Sequence, residues 1–258
     1  MKIKYYIPSY GRADTIKTLK YLSKAIALVS PKEYDDYVKY NPDCKDRILK
    51  LPEGVQGFGK GRCLNYMLDN LWDDADQLII IDDDVSCVMA HMKNEKDREV
   101  PEEEFYEICE NICLLAKEWG CGIWGLSPNS DPMVYDEFKP FRLHAYLDGA
   151  ITGYVFKDEL RYDEKLTIKE DVDYFLQKLK KYHKALRVEK YYLKDEAFTN
   201  KGGCFDLRNS ETEKKQFIEM QKKWGANIIR PNKPVATNSS KIRGLGGAIR
   251  LNLPFSGC

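Results

Sequence analysis

The chain has 258 residues, 43% of them apolar and 32% charged, with 41 basic and 41 acidic side chains. This apolar share is ordinary for a soluble globular protein, and a neutral chain has no overall field to draw it to nucleic acid or membrane. Its length suffices for a sizeable core in one large domain or two small ones.

The N-terminus, MKIKYYIPSYGR, lacks an apolar signal core, and no run is long enough to span a bilayer. The eight cysteines form no CxxC pair or zinc pattern. A cytosolic protein with reduced thiols and no membrane partner is expected.

In chain order, Ile3 to Ile7 reads as a strand ended by Pro8, and the loop Pro8 to Arg12 (PSYGR) follows. Asp14 or Thr15 caps a helix through Ser23. A second strand covers Ala25 to Val29. Ser30-Pro31 opens a helix in which Glu33 completes a capping box. Asn41-Pro42-Asp43 is a turn, and Arg47 to Leu51 a third strand. The loop GVQGFGKG, Gly54 to Gly61, leads into an amphipathic helix from Arg62 to Leu71, with Leu64, Met67, Leu68 and Leu71 on one face.

Then comes QLIIIDDDVSCV. Leu78 to Ile81 form a continuous apolar run, the mark of a strand buried on both faces, and end at Asp82, Asp83 and Asp84. Ligands in open α/β sheets bind beyond the carboxyl ends of such strands. Carboxylates there are hard donors suited to Mg²⁺ or Mn²⁺ carrying a phosphate ligand. Extended alternation places Asp82 and Asp84 on one side and Asp83 on the other. A solvated acidic turn would not need three adjacent like charges.

A helix follows from Pro101 to Glu118 and a strand from Gly122 to Leu126. Met133 to Phe156, rich in aromatic and β-branched residues, reads as strands. Ile168 to Tyr182 is a helix with Val172, Phe175, Leu176 and Leu179 on one face, Ala185 to Leu193 a strand, and Asn209 to Trp224 the last helix. From Ala226 to Cys258 the chain carries Arg230, Lys233, Lys241, Arg243 and Arg250 and no acid, and from Pro231 it reads as loop. The sum is an α/β fold: one domain, 1–258, with a central mostly parallel, mixed sheet flanked by helices.

Two constellations stay open at this level. GVQGFGKG nearly matches the phosphate loop of NTPases, with Lys60 in place, but Gly61 stands where a hydroxyl would hold Mg²⁺. The same loop also suits a glycine-rich helix entry directing Lys60 and Arg62 at a diphosphate. Glu170 and Asp171 open a helix, where acids are favoured by the dipole whether or not they do chemistry.

Four pieces stand in a telling order: IPSYGR, GKGRCLNYML, IIIDDDV and KEDVDYFL. That order resembles the GT-A-fold (Rossmann-like) glycosyltransferases, and more narrowly the TET-associated glycosyltransferases, a phage-rich group thought to glycosylate hydroxymethylated pyrimidines in DNA. The resemblance implies a nucleotide-diphosphate sugar donor such as a UDP-sugar, with Pro8, Ser9, Tyr10, Gly11 and Arg12 at the base. Lys60, Arg62, Asp82, Asp83 and Lys201 would lie near the diphosphate and ribose, and Asp84 with Asp82 at Mn²⁺ or Mg²⁺. It makes Asp171, assisted by Glu170, the base, with Gly149 and Gly153 giving the sugar close approach to the backbone. It also implies residues 1–100 as the donor half, 101–225 as the acceptor half, and the host cytoplasm if phage-encoded.

One feature departs from the family. Many such enzymes take a third metal ligand from a C-terminal histidine, but His91, His144 and His183 all lie earlier. For double-stranded DNA as acceptor, Lys180, Lys181, Lys184 and Arg187 near the base, and Arg243 and Arg250 in the tail, are the candidate phosphate contacts. A protein or glycan acceptor, a phosphate-loop NTPase and a non-catalytic DNA-binding module are the rival readings.

Overall fold

A computed structural model describes residues 1–56, 59–93, 95–194, 209–231 and 249–253. Lys201, Lys233, Lys241 and Arg243 lie outside the described residues. The strands are β1 (Ile3–Ser9), β2 (Ala25–Val29), β3 (Ile48–Lys50), β4 (Gln77–Ile81), β5 (Cys87–Ala90), β6 (Arg98–Val100), β7 (Ile123–Ser127), β8 (Phe141–Arg142), β9 (Ile151–Tyr154), β10 (Leu186–Lys194), β11 (Ile229–Pro231) and β12 (Ile249–Leu251). The helices are α1 (Thr18–Tyr21), α2 (Tyr34–Tyr40), α3 (Lys60–Asn70), α4 (Glu102–Glu118), α5 (Glu170–Tyr182) and α6 (Ser210–Trp224).

Ten strands form one mixed sheet in the order β3-β2-β1-β4-β9-β7-β10-β5-β6, with β8 on β10. β1, β2, β3, β4, β6, β7 and β10 run one way, and β5, β8 and β9 run against them. Every residue of β4 is buried. Alternation divides them: Ile79 and Ile81 join the layer holding Leu19, Tyr37 and Phe105, while Leu78 and Ile80 join the layer of Leu64, Met67, Phe175 and Leu179. Two helical layers on one sheet explain why this run reads as continuously apolar rather than alternating.

Several local expectations are corrected. Pro8 does not end β1. It pairs with Leu28 of β2 beyond the last β4 pair, Tyr6 with Ile80, so its missing N–H falls where no β4 carbonyl needs it. The first helix is the single turn Thr18–Tyr21. Glu33 makes no side-chain cap; its Oε1 accepts the N–H of Gly11 at 3.0 Å instead. Of strands, the stretch 133–156 holds the two-residue β8 and four-residue β9 alone, because Pro140 interrupts it and Met133 and Phe138 face solvent. β5 and β6 had no expectation. β11 and β12 form a separate antiparallel ribbon; Ile229 and Arg230 had no expectation, and β12 lies in the tail expected as loop.

Candidate active site

β1 and β4 end side by side, and the loops beyond them build the site. β4 stops at Ile81, so Asp82 to Asp84 lie in a turn and strand alternation no longer governs them. That corrects the expected grouping. Asp83 and Asp84 share Arg12: Arg12 Nη1 donates to Asp83 Oδ1 and, at 3.0 Å, to Asp84 Oδ2. Asp83 also accepts the Ser9 hydroxyl at 2.5 Å, and Ser9 Oγ lies 2.6 Å from the Tyr37 hydroxyl. Asp82 stands apart, with its side chain 36% exposed, and pairs with the Lys60 ammonium.

The turn is pinned from α1. Thr18 Oγ1 donates to the Asp82 carbonyl at 2.5 Å and accepts the Val85 N–H at 3.0 Å, while the N–H of Lys17 reaches the Asp83 carbonyl at 2.9 Å. The sequence placed the helix start at Asp14 or Thr15 and did not single out Thr18, whose partner lies 64 residues away.

Electrostatics separate the three acids. Burial pushes Asp83 up to about 6, against the pull of Arg12 and Ser9. Burial and then Asp82 raise Asp84, with Arg12 opposing. Burial alone would lower Lys60, but Asp82 outweighs it and holds the ammonium charged above its usual range. The turn thus concentrates more negative charge than Arg12 and Lys60 relieve. Hard oxygen donors of this kind suit a divalent cation. Among the described residues no three His, Cys, Asp or Glu side chains could hold a metal together. Two carboxylates with the rest of the shell from phosphate and water is the usual Mg²⁺ arrangement.

A strap from Tyr146 to Ala150 closes the site opposite the turn. The Ala150 carbonyl accepts the Asp82 N–H at 2.9 Å, and the Gly149 carbonyl accepts Lys60 Nζ at 3.1 Å. Gly149 has φ +77, and a Cβ there would come within 3.2 Å of the Asp171 Cβ, so only glycine lets the strap lie against the start of α5. Asp171 Oδ2 accepts the Tyr146 hydroxyl, and its Oδ1 accepts the Val172 N–H at 2.7 Å. Glu170 is buried. A Cβ on Gly61 would stand 3.8 Å from its Cβ, and its charge reaches Lys60. Gly61 therefore sits where α3 meets the start of α5. Asp82, Lys60, Gly149, Glu170 and Asp171 are brought together as expected; Tyr146 had no motif to reveal it.

Other expected residues lie elsewhere. Pro8 and Ser9 are built into β1, Tyr10 is exposed beyond it, and Gly11 and Arg12 turn back toward Glu33 and the acids. Arg62 Nε donates to Glu164 Oε2 at 3.0 Å and its Nη1 to the Gly54 carbonyl at 3.1 Å, away from Asp82. Gly153 does not serve the sugar. It is buried in β9 opposite Trp124, whose indole Nε1 lies 2.0 Å from where a Cβ would be.

Nor do Lys180, Lys181 and Lys184 stand near Asp171. Lys180 and Lys181 lie in the last turn of α5, about 14–15 Å from Asp171 at the helical rise, and Lys184 lies just beyond its end. Lys181 pairs with Glu159 at 2.7 Å, and Lys184 donates to the Trp119 carbonyl at 2.9 Å. Arg187 is the cation that comes back, donating to the Tyr146 carbonyl at 2.9 Å. Arg250 is exposed on β12 directly across from exposed Arg230 of β11, a like-charged pair that opposes ribbon formation unless something neutralises it.

Comparison with known proteins gives the chemistry a family. The profile of the TET-Associated Glycosyltransferases matches residues 3–203, most of the chain and all of the site just described. The chain belongs to the TET-associated glycosyltransferase family. No curated protein matches it.

Three solved structures give the scale of structural likeness around this glycosyltransferase. Staphylococcus aureus TarS 1–349 in complex with UDP is 12% identical with a TM-score of 0.48, over 86% of this chain and 66% of that one. Mannose-1-phosphate geranyltransferase from Thermus thermophilus is 12% identical, over 74% of this chain and 76% of that one, with a TM-score of 0.41. The 4-diphosphocytidyl-2C-methyl-D-erythritol synthase from Anaerococcus prevotii is also 12% identical, over 73% and 86%, with a TM-score of 0.38. At these values the likeness carries no argument about substrate. The chain spans about two thirds of the TarS fragment. Among the described residues no helix is long and apolar enough to cross a membrane.

Proposed function

We propose that this protein transfers a sugar from a nucleotide diphosphate, UDP in the first instance, to the hydroxyl of a hydroxymethylated pyrimidine in double-stranded DNA. The observation that carries the reading is the convergence of Asp82, Lys60, Gly149 and Asp171 at the carboxyl edge of β4, in a chain of this family. The chain acts as one unit, with residues 1–100 taking the donor and 101–225 the acceptor.

The donor base lies along Pro8 to Arg12, where Tyr10 offers an exposed ring. Lys60 gives up Asp82 and takes charge on the diphosphate, while Arg12 stays locked on Asp83. Asp82 and Asp84 would hold Mg²⁺ or Mn²⁺, which supplies charge stabilisation to the departing diphosphate. Asp171 accepts the proton of the acceptor hydroxyl as its oxygen bonds to the anomeric carbon. The sugar–phosphate C–O bond breaks as that bond forms, and the electron pair leaves with the nucleotide. Such a direct displacement inverts configuration.

The acceptor rests on the family and on cations outside the donor site. Lys180, Arg230 and Arg250 are exposed and take phosphates, whereas Lys181 and Lys184 are already engaged. The test is incubation with Mn²⁺, a panel of nucleotide sugars and hydroxymethylated duplex DNA, read by mass spectrometry of the nucleosides. A sugar mass on the modified base is expected. Labelling of a peptide or glycan with the DNA untouched would move the acceptor class. ATP hydrolysis lost in Lys60→Ala would restore the phosphate-loop reading.

A further inference from the structure

We propose that Tyr146 is a positioning residue for the acceptor base: its hydroxyl holds the Asp171 carboxylate and aims it across the strap at the donor. This rests on the reading of Asp171 as the base.

The hydroxyl is not needed to hold the tyrosine in place. Its ring packs edge-on against Phe175, one helical turn beyond Asp171, with centroids 5.6 Å apart at 88°. Its carbonyl accepts Arg187 Nη1 at 2.9 Å, and the neighbouring Leu147 is buried. The segment is therefore anchored by ring and backbone, which leaves the hydroxyl to Asp171 Oδ2. Burial and the Asp171 charge keep the phenol protonated, well above its ordinary range, so it donates at every working pH.

A phenol donating to a carboxylate favours the charged form. Glu170 on its own helix and Asp148 on the strap both act on the same tyrosine. The donor also fixes direction. Five residues, 146 to 150, touch the base through Tyr146, Lys60 through Gly149 and Asp82 through Ala150, so one rigid segment sets the base relative to the donor.

The test compares Tyr146→Phe, Asp171→Asn and wild type in sugar transfer from pH 5 to 9, with UDP affinity measured alongside. Tyr146→Phe keeps the ring against Phe175. We expect the acid limb of the kcat profile to rise by about one pH unit, which lowers kcat by up to about tenfold on the acid side of the limb and leaves it nearly unchanged above it. UDP affinity should hold, and the rate should recover toward wild type in alkali. Fluorotyrosine at 146, a stronger donor of nearly the same shape, should move the limb the other way. An unshifted limb in both, with Asp171→Asn inactive, overturns this inference and leaves the base reading intact. A uniform loss at every pH does the same, since it marks a structural role. Full activity of Asp171→Asn removes the base reading, and this inference with it.

Discussion

Asp171 and Asp173 lie two residues apart on α5 and have opposite fates. Asp173 is fully buried and filled: Lys223 Nζ lies 2.8 Å from Oδ1, Trp224 Nε1 donates to Oδ1 at 2.7 Å, and Gln177 Nε2 donates to Oδ2 at 2.7 Å. Asp171 is half-buried and holds a phenol and the N–H of the next residue. The same division separates Asp158 from Asp82. Asp158 takes the fully buried Lys178 at 2.8 Å and the Tyr182 hydroxyl at 2.7 Å, while Asp82 has one ammonium and an open side. A carboxylate filled by fixed donors is an anchor that ties elements together. One with spare lone pairs at the carboxyl edge of a parallel sheet is available for chemistry.

Replacing an anchor should cost the most. Asp173→Ala takes the acceptor from the Trp224 indole N–H and the Gln177 amide between α5 and α6, while Lys223 keeps Asp163, a loss of about 3 kcal/mol. In a chain of this size that lowers Tm by roughly 10 °C in a thermal melt. A shift below about 2 °C would break the distinction.

Asp158→Asn should cost somewhat less, because Tyr182 keeps a partner. Burial would raise the Asp158 carboxyl, but the hydrogen bond and charge of Lys178 outweigh it and hold it below the ordinary range. A depressed carboxyl stabilises the fold above its unfolded value, about 3.9, and that contribution is lost as pH falls through the folded value. Wild-type Tm should therefore drop below about pH 4, and Asp158→Asn should flatten that limb. Replacing both Asp158 and Lys178 by apolar residues of similar volume should restore much of the stability.

Site acids should behave in reverse. Burial and Asp82 raise Asp84, so neutralising it relieves repulsion, and Asp84→Asn should melt at or above wild type. The same variant should lose at least about tenfold in Mn²⁺-dependent UDP affinity, some 1.4 kcal/mol, by calorimetry. Unchanged affinity would remove Asp84 from the donor site.

The smallest effect belongs to the ribbon. Arg230→Ala and Arg250→Ala should each lower the salt slope of duplex binding by about one. An unchanged slope would leave the opposed arginines unexplained.

The core around β4 and α3 was legible because its signals are local. Five buried residues ending in aspartates need one sheet with two covered faces, and a glycine-rich loop before an amphipathic helix marks its own start. The rest depends on contacts remote in sequence. Tyr146 meets Asp171 across 25 residues, Thr18 meets Asp82 across 64, and neither residue type announces such a role. β6 escaped because Arg98 and Glu99 are exposed and only Val100 is buried, which gives no apolar run. Gly149 and Gly153 look alike in DGAITGY, yet one yields to Asp171 and the other to Trp124. Composition could not separate Asp171 from Asp173 either; what fills their oxygens comes from α6 and the strap.

The central claim is that Asp171 takes the acceptor proton. Single-turnover sugar transfer to hydroxymethylated duplex DNA by Asp171→Asn, with UDP affinity measured on the same preparation, tests it most directly. The account predicts a rate at least about a hundredfold below wild type with UDP affinity nearly unchanged. Transfer at the wild-type rate would contradict it and return Asp171 to the ordinary acids that open a helix.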